Sequence, residues 1–223
     1  MEGDGMTKWV RPHVDLPIYD NEGTVIGLLS SLDHGNYMEP GIIGRLVYWR
    51  QENMKWFLTQ FEATHQRTRN WLEQVILPSP DRIMFLIYVG DRLMGHYGTI
   101  FHSDTHAELD NAIRGEQGGP KGLMHYMEIA LLAWLFGKMG IKTANLWVLQ
   151  GNEATFKWHT SVGYSMGRES PLYQRTGSGE TVYSTSGTED ELTDLRYFEM
   201  VISREALLEK HPWVSKYYQG MEG

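Results

Sequence analysis

The sequence predicts an α/β domain in which a mixed sheet carries helices on both faces. Three observations point there: a two-strand hairpin at residues 82–101, a glycine-rich turn running into an apolar helical stretch by residue 123, and strand alternating with helix after it. The 223 residues suffice to bury a core, and a composition of 41% apolar and 22% charged residues belongs to a folded globular chain.

Residues 1–40 are turn-rich and read as an N-terminal extension. They hold one short strand, Thr24–Ser31, between turns at Tyr19–Asn21–Gly23 and His34–Gly35–Asn36. The domain proper is expected over 41–205. Ile43 to Phe57 is aromatic and helical. Thr64 has the N-cap chemistry for a helix from His65 to about Ile76, with Trp71, Leu72 and Val75 on one apolar stripe. Pro78 and Pro80 stop it. RIMFLIYVGDRLMGHYGTIF gives two strands joined at Gly90–Asp91, since a tight hairpin needs positive φ at its tip. His106 to Arg114 makes a third strand.

GEQGGPKG then opens an amphipathic helix with Leu123, Met127, Ala130, Leu131 and Trp134 at helical spacing, ending near Gly137–Gly140. Ile141–Leu149 is an apolar strand, and Asn152–Val162 a short helix closed by Gly163. Tyr164–Arg168 and Leu195–Ser203 supply two last strands. Glu169–Asp194, rich in Ser, Thr and Gly, reads as an inserted long loop or an extended hairpin. Residues 206–223 form a C-terminal tail, whose apolar Trp and Tyr residues between Trp213 and Tyr218 suggest a homodimer surface.

Composition also bounds function. A formal charge of −8 argues against a nucleic-acid partner, although a few local donors can still hold a small anion. With no cysteine, a disulfide scaffold, a thiolate nucleophile and a Cys-ligated zinc site are excluded. MEGDGMTKWVRP lacks the basic and apolar regions of a signal peptide, and the run from Ile129 to Gly137 is too short to span a bilayer. The expectation is a cytoplasmic protein without a membrane partner. His102 and His106 have no convergent carboxylate pair, so no metal site is expected.

The strongest chemical signal is strand, glycine-rich loop and helix in succession. The first amides of a helix lack intrahelical partners and sit at the positive end of its dipole, which suits a pyrophosphate; the same pattern also occurs as a plain turn. It is neither a P-loop nor a dinucleotide fingerprint. Context adds to it. FLIYVGDRLMGHYG supplies a hairpin. QGGPKG matches Q/R-x-x-G-x-G/A, with Gln117 first and Gly122 last. NEATFKWHTSVGY matches N-x-x-A-x-x-x-Y-x-x-x-G-F, with Asn152, Gly163 and Tyr164 in register. In these segments the stretch from about Leu46 to Tyr164 resembles the GNAT superfamily of acyl-CoA-dependent N-acyltransferases.

The resemblance implies a single domain with a mostly antiparallel sheet, splayed between its fourth and fifth strands, here Glu108–Arg114 and Lys142–Leu149. It implies acetyl-CoA, or another acyl-CoA, as co-substrate, and no metal. Gln117, Gly118, Gly119, Lys121, Gly122 and Leu123 would hold the diphosphate, with Asn152 also binding the cofactor. A main-chain N–H near Ala112–Ile113 would polarise the thioester. Two departures stand out. Pro120 replaces the middle glycine and has no N–H to donate, while Lys121 either adds charge or is solvated. His159 stands where the family has a tyrosine that protonates the leaving thiolate, and reads either as that acid or as a helix-surface residue. Glu108 and Asp110 share one side of their strand, so either serves as the base, with a slight preference for Glu108.

YWRQENMKWF and ATHQRTRNW resemble the W-R-N…H…W pattern of GNAT enzymes that acylate nucleotide-linked amino sugars. Trp49, Arg50, His65 and Trp71 match, and Gln51 replaces the usual Asn. That implies a small-molecule amine on a nucleotide sugar, with Arg50 on the diphosphate and an aromatic side chain on the base. Peptide N-acetyltransferases share parts of the segment, and Pro120 with His159 also fits a catalytically silent CoA-binding domain.

Overall fold

The protein was analysed as a computed structural model, which describes residues 13–187 and 190–221. Its strands are β1 Asp15–Tyr19, β2 Val25–Ser31, β3 Thr59–Phe61, β4 Arg82–Val89, β5 Arg92–Ser103, β6 His106–Arg114, β7 Thr143–Leu149, β8 Ser165–Gly177, β9 Glu180–Ser184 and β10 Glu191–Ser203. Its helices are α1 Ile42–Glu52, α2 His65–Trp71, α3 Leu123–Gly137, α4 Glu153–Val162, α5 Arg204–Lys210 and α6 Val214–Tyr217. The described strands form one sheet in the order β1-β2-β4-β5-β6-β7-β10-β8-β9-β3. Every pairing is antiparallel except that of β6 with β7. The sheet is thus mixed and mostly antiparallel, as expected.

Side-chain alternation on β4 explains the two cores. Ile83, Phe85 and Ile87 point into a cluster with α3, while Met84 and Leu86 point the opposite way, into a cluster with α1 and Leu72. The helix after the glycine-rich loop starts at Leu123 as anticipated but is not amphipathic. Residues Met127 to Phe136 are all buried, which places this helix between layers rather than on the surface. Its outer side is covered by α5 and the C-terminal segment. Gly137 lies so close to Gln219 and Gly220 that an added Cβ would stand 2.6 Å from a backbone oxygen, and Met221 is fully buried.

Both ends of the described chain are therefore integral to the fold, and two expectations change while a third is decided between its alternatives. β1 and β2 belong to the main sheet, so residues 13–40 are not an appendage. Residues 206–221 pack on α3, and the aromatics of that tail meet the chain's own rings: Tyr19 stacks on Tyr217 at 5.7 Å, and Trp213 lies 5.9 Å from Tyr126. These rings thus serve the chain's own packing. Glu169–Asp194 is the extended hairpin of its two readings, in which β8 pairs with both β9 and β10.

The helix from Thr64 holds with one correction. Thr64 Oγ1 accepts the Arg67 amide at 3.2 Å, as an N-cap should. Residues Leu72–Ile76 then widen into a π-turn, closed by Leu77 N–H to Leu72 O at 2.8 Å. The wider turn rotates Val75 to 42% exposure and leaves Leu72 and Ile76 to fill the core. No helix among the described residues is long and apolar enough to cross a membrane.

Trp49, matched on sequence to a substrate residue, is 1% exposed and packs flat on Gly115, where an added Cβ would sit 1.9 Å from the indole. Its Nε1 donates to Glu116 at 3.2 Å. Trp49→Ala is expected to cost about 3–5 kcal/mol of stability in urea denaturation, the range for a large aromatic lost from a core. Gly115→Ala should also destabilise, because the rigid ring has no room to yield.

Candidate active site

β6 and β7 pair as parallel neighbours over only three positions, His106↔Thr143, Ala107↔Ala144 and Glu108↔Asn145. Beyond Glu108 they part. A β-bulge accompanies the parting: the β5–β6 register steps from Gly98↔Asp110 to His96↔Ile113, so Asn111 and Ala112 together oppose Tyr97. Asn111 adopts φ 51°, one of two non-glycine residues with positive φ among the described ones. The gap forms a cavity of about 560 Å³. Glu108, Asp110, Ala112, Ile113, Asn152 and His159 all line it, which brings six of the anticipated residues together.

The start of α3 stands at its rim, since Arg114 and Met124 also line the cavity. Gly118, Gly119 and Gly122 have φ of 85°, 78° and 78°, the left-handed region that turns successive amides to one side. Leu123 N–H returns to Pro120 O at 3.2 Å and Tyr126 N–H to Gly122 O at 3.0 Å. The amides of Gly122, Met124 and His125 have no protein acceptor among the described residues, and no side chain caps the helix. Gln117, Gly118, Gly119, Lys121 and Gly122 lie on the outer side of this loop, whereas Leu123 is buried and anchors it. Two cations that sequence reasoning missed shape the loop: Arg114 donates to Gly118 O at 2.8 Å, and Arg92 reaches Gln117 O at 3.5 Å. Asn152 Oδ1 accepts the Thr155 amide at 3.4 Å as the N-cap of α4.

His159 is no surface residue: it is 3% exposed. Its Nδ1 lies 2.9 and 3.0 Å from the two carboxylate oxygens of Glu128, which is fully buried. The same carboxylate accepts the Tyr97 hydroxyl at 3.0 Å, and Trp158 stacks on His159 at 4.3 Å. Burial, with the Glu128 charge second, holds the Tyr97 and Tyr164 hydroxyls well above the usual tyrosine range, so both stay protonated. Glu128 was not anticipated, but a signal for it exists. It is the one charged residue in the helical stretch LMHYMEIALLAWLFG, where burial requires it to be paired.

The two candidate bases differ. Glu108 lies 3.4 Å from His102. Asp110 is 3.5 Å from Arg82, yet burial outweighs that cation and raises its pKa from 3.8 to about 6.

A second cavity of about 280 Å³ lies across β6, sharing Asn111 and Ile113 with the first. Arg50 and Trp71 line it; Trp49 and His65 do not, because Trp49 faces the core and His65 is exposed. The strand β3 pairs with β9, and Arg67 of α2 forms an ion pair with Glu180 of β9, so this side is roofed.

No family model matches the sequence, and no curated protein does. Solved structures do match. The spermidine N-acetyltransferase from Vibrio cholerae, in complex with CoA and spermine, is similar with a TM-score of 0.60 and 14% identity, covering 83% of this chain and 99% of that one. A GCN5-related N-acetyltransferase from Brucella melitensis has a TM-score of 0.60 and 12% identity, covering 93% and 86%. RimL, a ribosomal L7/L12 alpha-N-protein acetyltransferase, has a TM-score of 0.58 and 12% identity, covering 86% and 96%. The chain has the GNAT fold. The strands that part are β6 and β7, and both cavities border β6.

Since burial raises the Asp110 pKa, its stabilising contribution is full below 3.8 and is lost as the pH rises through about 6. Asp110→Asn is therefore expected to raise the melting temperature at pH 8 relative to the unmutated protein, with the advantage disappearing by pH 4. Thermal melts across that range check the sign.

Proposed function

We propose that the chain is an acyl-CoA-dependent N-acyltransferase that moves an acetyl or other short acyl group to the primary amine of a small molecule, by direct attack in a ternary complex. The observation that carries this is the unzipped β6–β7 gap with unpaired amides of α3 at its rim. The residues present fit acyl-CoA: the glycine loop offers amides and Arg114 to a diphosphate, and the gap gives a narrow arm access to the bulge. Bound there, the acyl-CoA supplies an activated thioester.

The chain's own groups supply the rest. A main-chain N–H near Ala112–Ile113, beside the bulge, polarises the thioester carbonyl, and such a preorganised donor contributes about 3–4 kcal/mol. Asp110 takes the amine proton, directly or through water, because a base with a pKa near 6 is ionised at neutral pH and still basic. Glu108 is the alternative base on the same wall. His159 protonates the departing thiolate, whose conjugate thiol has a pKa of about 8.5. Glu128 fixes the proton on Nδ1, aims Nε2 and stabilises the imidazolium.

The neighbours act on different amines by name, a polyamine in one and a protein α-amine in another. A roofed acceptor side supports a small molecule over a peptide in this chain. A nucleotide-linked amino sugar fits that class, and Arg50 is the residue of the tryptophan–arginine segment that reaches the acceptor cavity.

Free-thiol release from acetyl-CoA with a panel of amines tests the reading; measurable CoA binding without turnover on any amine would leave a binding domain in its place. Asp110→Asn and His159→Gln should each lower kcat by about 100-fold, the lower range for a lost acid or base. Glu128→Gln should lower kcat by about 10-fold with the KM for acetyl-CoA unchanged, because the carboxylate holds the His159 ring in place.

A further inference from the structure

We infer that the amine acceptor carries an anionic group, a phosphate or a carboxylate, which Arg50 holds in the cavity across β6. The inference rests on the N-acyltransferase reading above and names its substrate class.

Arg50 lies in the last turn of α1, where the helix dipole favours a cation, but the rest of its surroundings are costly for a charge. Its guanidinium stacks 3.5 Å from the centre of the Phe57 ring, and Nη2 donates to Thr59 O at 2.9 Å. Nε is buried without a partner. No acidic group pairs with Arg50 among the described residues. Its neighbour Arg67 differs, being paired with Glu180. Burial lowers the Arg50 pKa to about 10, so it stays charged at neutral pH.

The cavity wall contains no counter-charge. It has two arginines, Arg50 and Arg67, and no carboxylate. The remaining titratable group, His96, is held neutral by burial, with a pKa of about 3. A chain with a net charge of −8 thus keeps a partly desolvated, unpaired cation in a pocket free of acidic residues. A buried cation without a partner is unfavourable, and an anion supplied by the ligand relieves that cost. The planar fork of Arg50 suits the two oxygens of a carboxylate or phosphate.

Position supplies the link to chemistry. Asn111 and Ile113 line both cavities, so a molecule anchored at Arg50 can present its other end to the bulge where the thioester is polarised. The same charge disfavours a polycation such as spermine.

The test uses matched amines with acetyl-CoA and the full chain: glucosamine 6-phosphate against glucosamine, glycine against glycinamide, a UDP-linked amino sugar, and spermidine. Thiol release should favour the anionic member of a pair by at least about 30-fold in kcat/KM, and the phosphate and carboxylate arms show which anion is read. Arg50→Gln should bring the pair near parity, with the KM for acetyl-CoA unchanged. Arg50→Lys, which keeps the charge and the packing stem, should retain part of the preference, and circular dichroism checks that both variants fold. Equal use of neutral or cationic amines, or a preference that survives Arg50→Gln, overturns the inference.

If no amine in the panel is turned over, calorimetric titration of glucosamine 6-phosphate and glycine into the CoA-saturated protein decides. Binding lost in Arg50→Gln sustains the inference, and binding absent or insensitive to Arg50 overturns it. Failure to bind CoA at all would strike the acyltransferase reading instead, a result visible before any amine is added.

Discussion

The site depends on a sheet that stops pairing. β6 and β7 are parallel neighbours for three residues and then separate, and the bulge at Asn111–Ala112 bends β6 away from its partner. A continuous ladder would have buried every strand amide in hydrogen bonds. The interruption leaves a wedge of space in the middle of the protein with polar backbone at its apex. The crossover α3 joins the two parting strands, so the same connection that makes them parallel also delivers its N-terminus to the mouth of the wedge.

Around that opening the charges are arranged by burial. Glu128 is fully enclosed and shared between His159 and Tyr97, so a carboxylate in the apolar core is satisfied on several sides. Asp110 is less well compensated, and its proton affinity rises accordingly. On the far side of β6, Arg50 has an aromatic face and one carbonyl but no acid. The three groups differ in how fully they are compensated, and the roles proposed for them, positioning, proton transfer and ligand recognition, follow from those differences.

Much of the fold was legible in the sequence because its signals are local. Gly90–Asp91 announces the β4–β5 hairpin, Thr64 caps α2, and the glycines before Leu123 mark the start of α3. Six residues lining the wedge were anticipated: Asn152 and His159 from a motif, Glu108, Asp110, Ala112 and Ile113 from the strand that the family resemblance placed there. What escaped had long-range causes. Whether α3 has a wet face depends on a C-terminal segment some eighty residues away that covers it. Val75 left its stripe because a π-turn changes the period on which the stripe was counted. Trp49 and Arg50 are adjacent in a pattern matched as a unit, but successive helical residues point about 100° apart, so one entered the core and the other the cavity. Glu128 could have been noticed as a lone charge in an apolar helix; its partner could be known only from the packing of α4 against α3.

That adjacency on α1 ties the two chambers together. The indole of Trp49 is wedged against the first glycine of the cofactor loop, and the next residue along the helix reaches into the acceptor cavity. At Gly115 the loop backbone lies directly against that ring, on the helix that also bears the guanidinium. Neighbouring residues of one helix thus pack against the glycine-rich loop and line the second cavity, so the two features share a support.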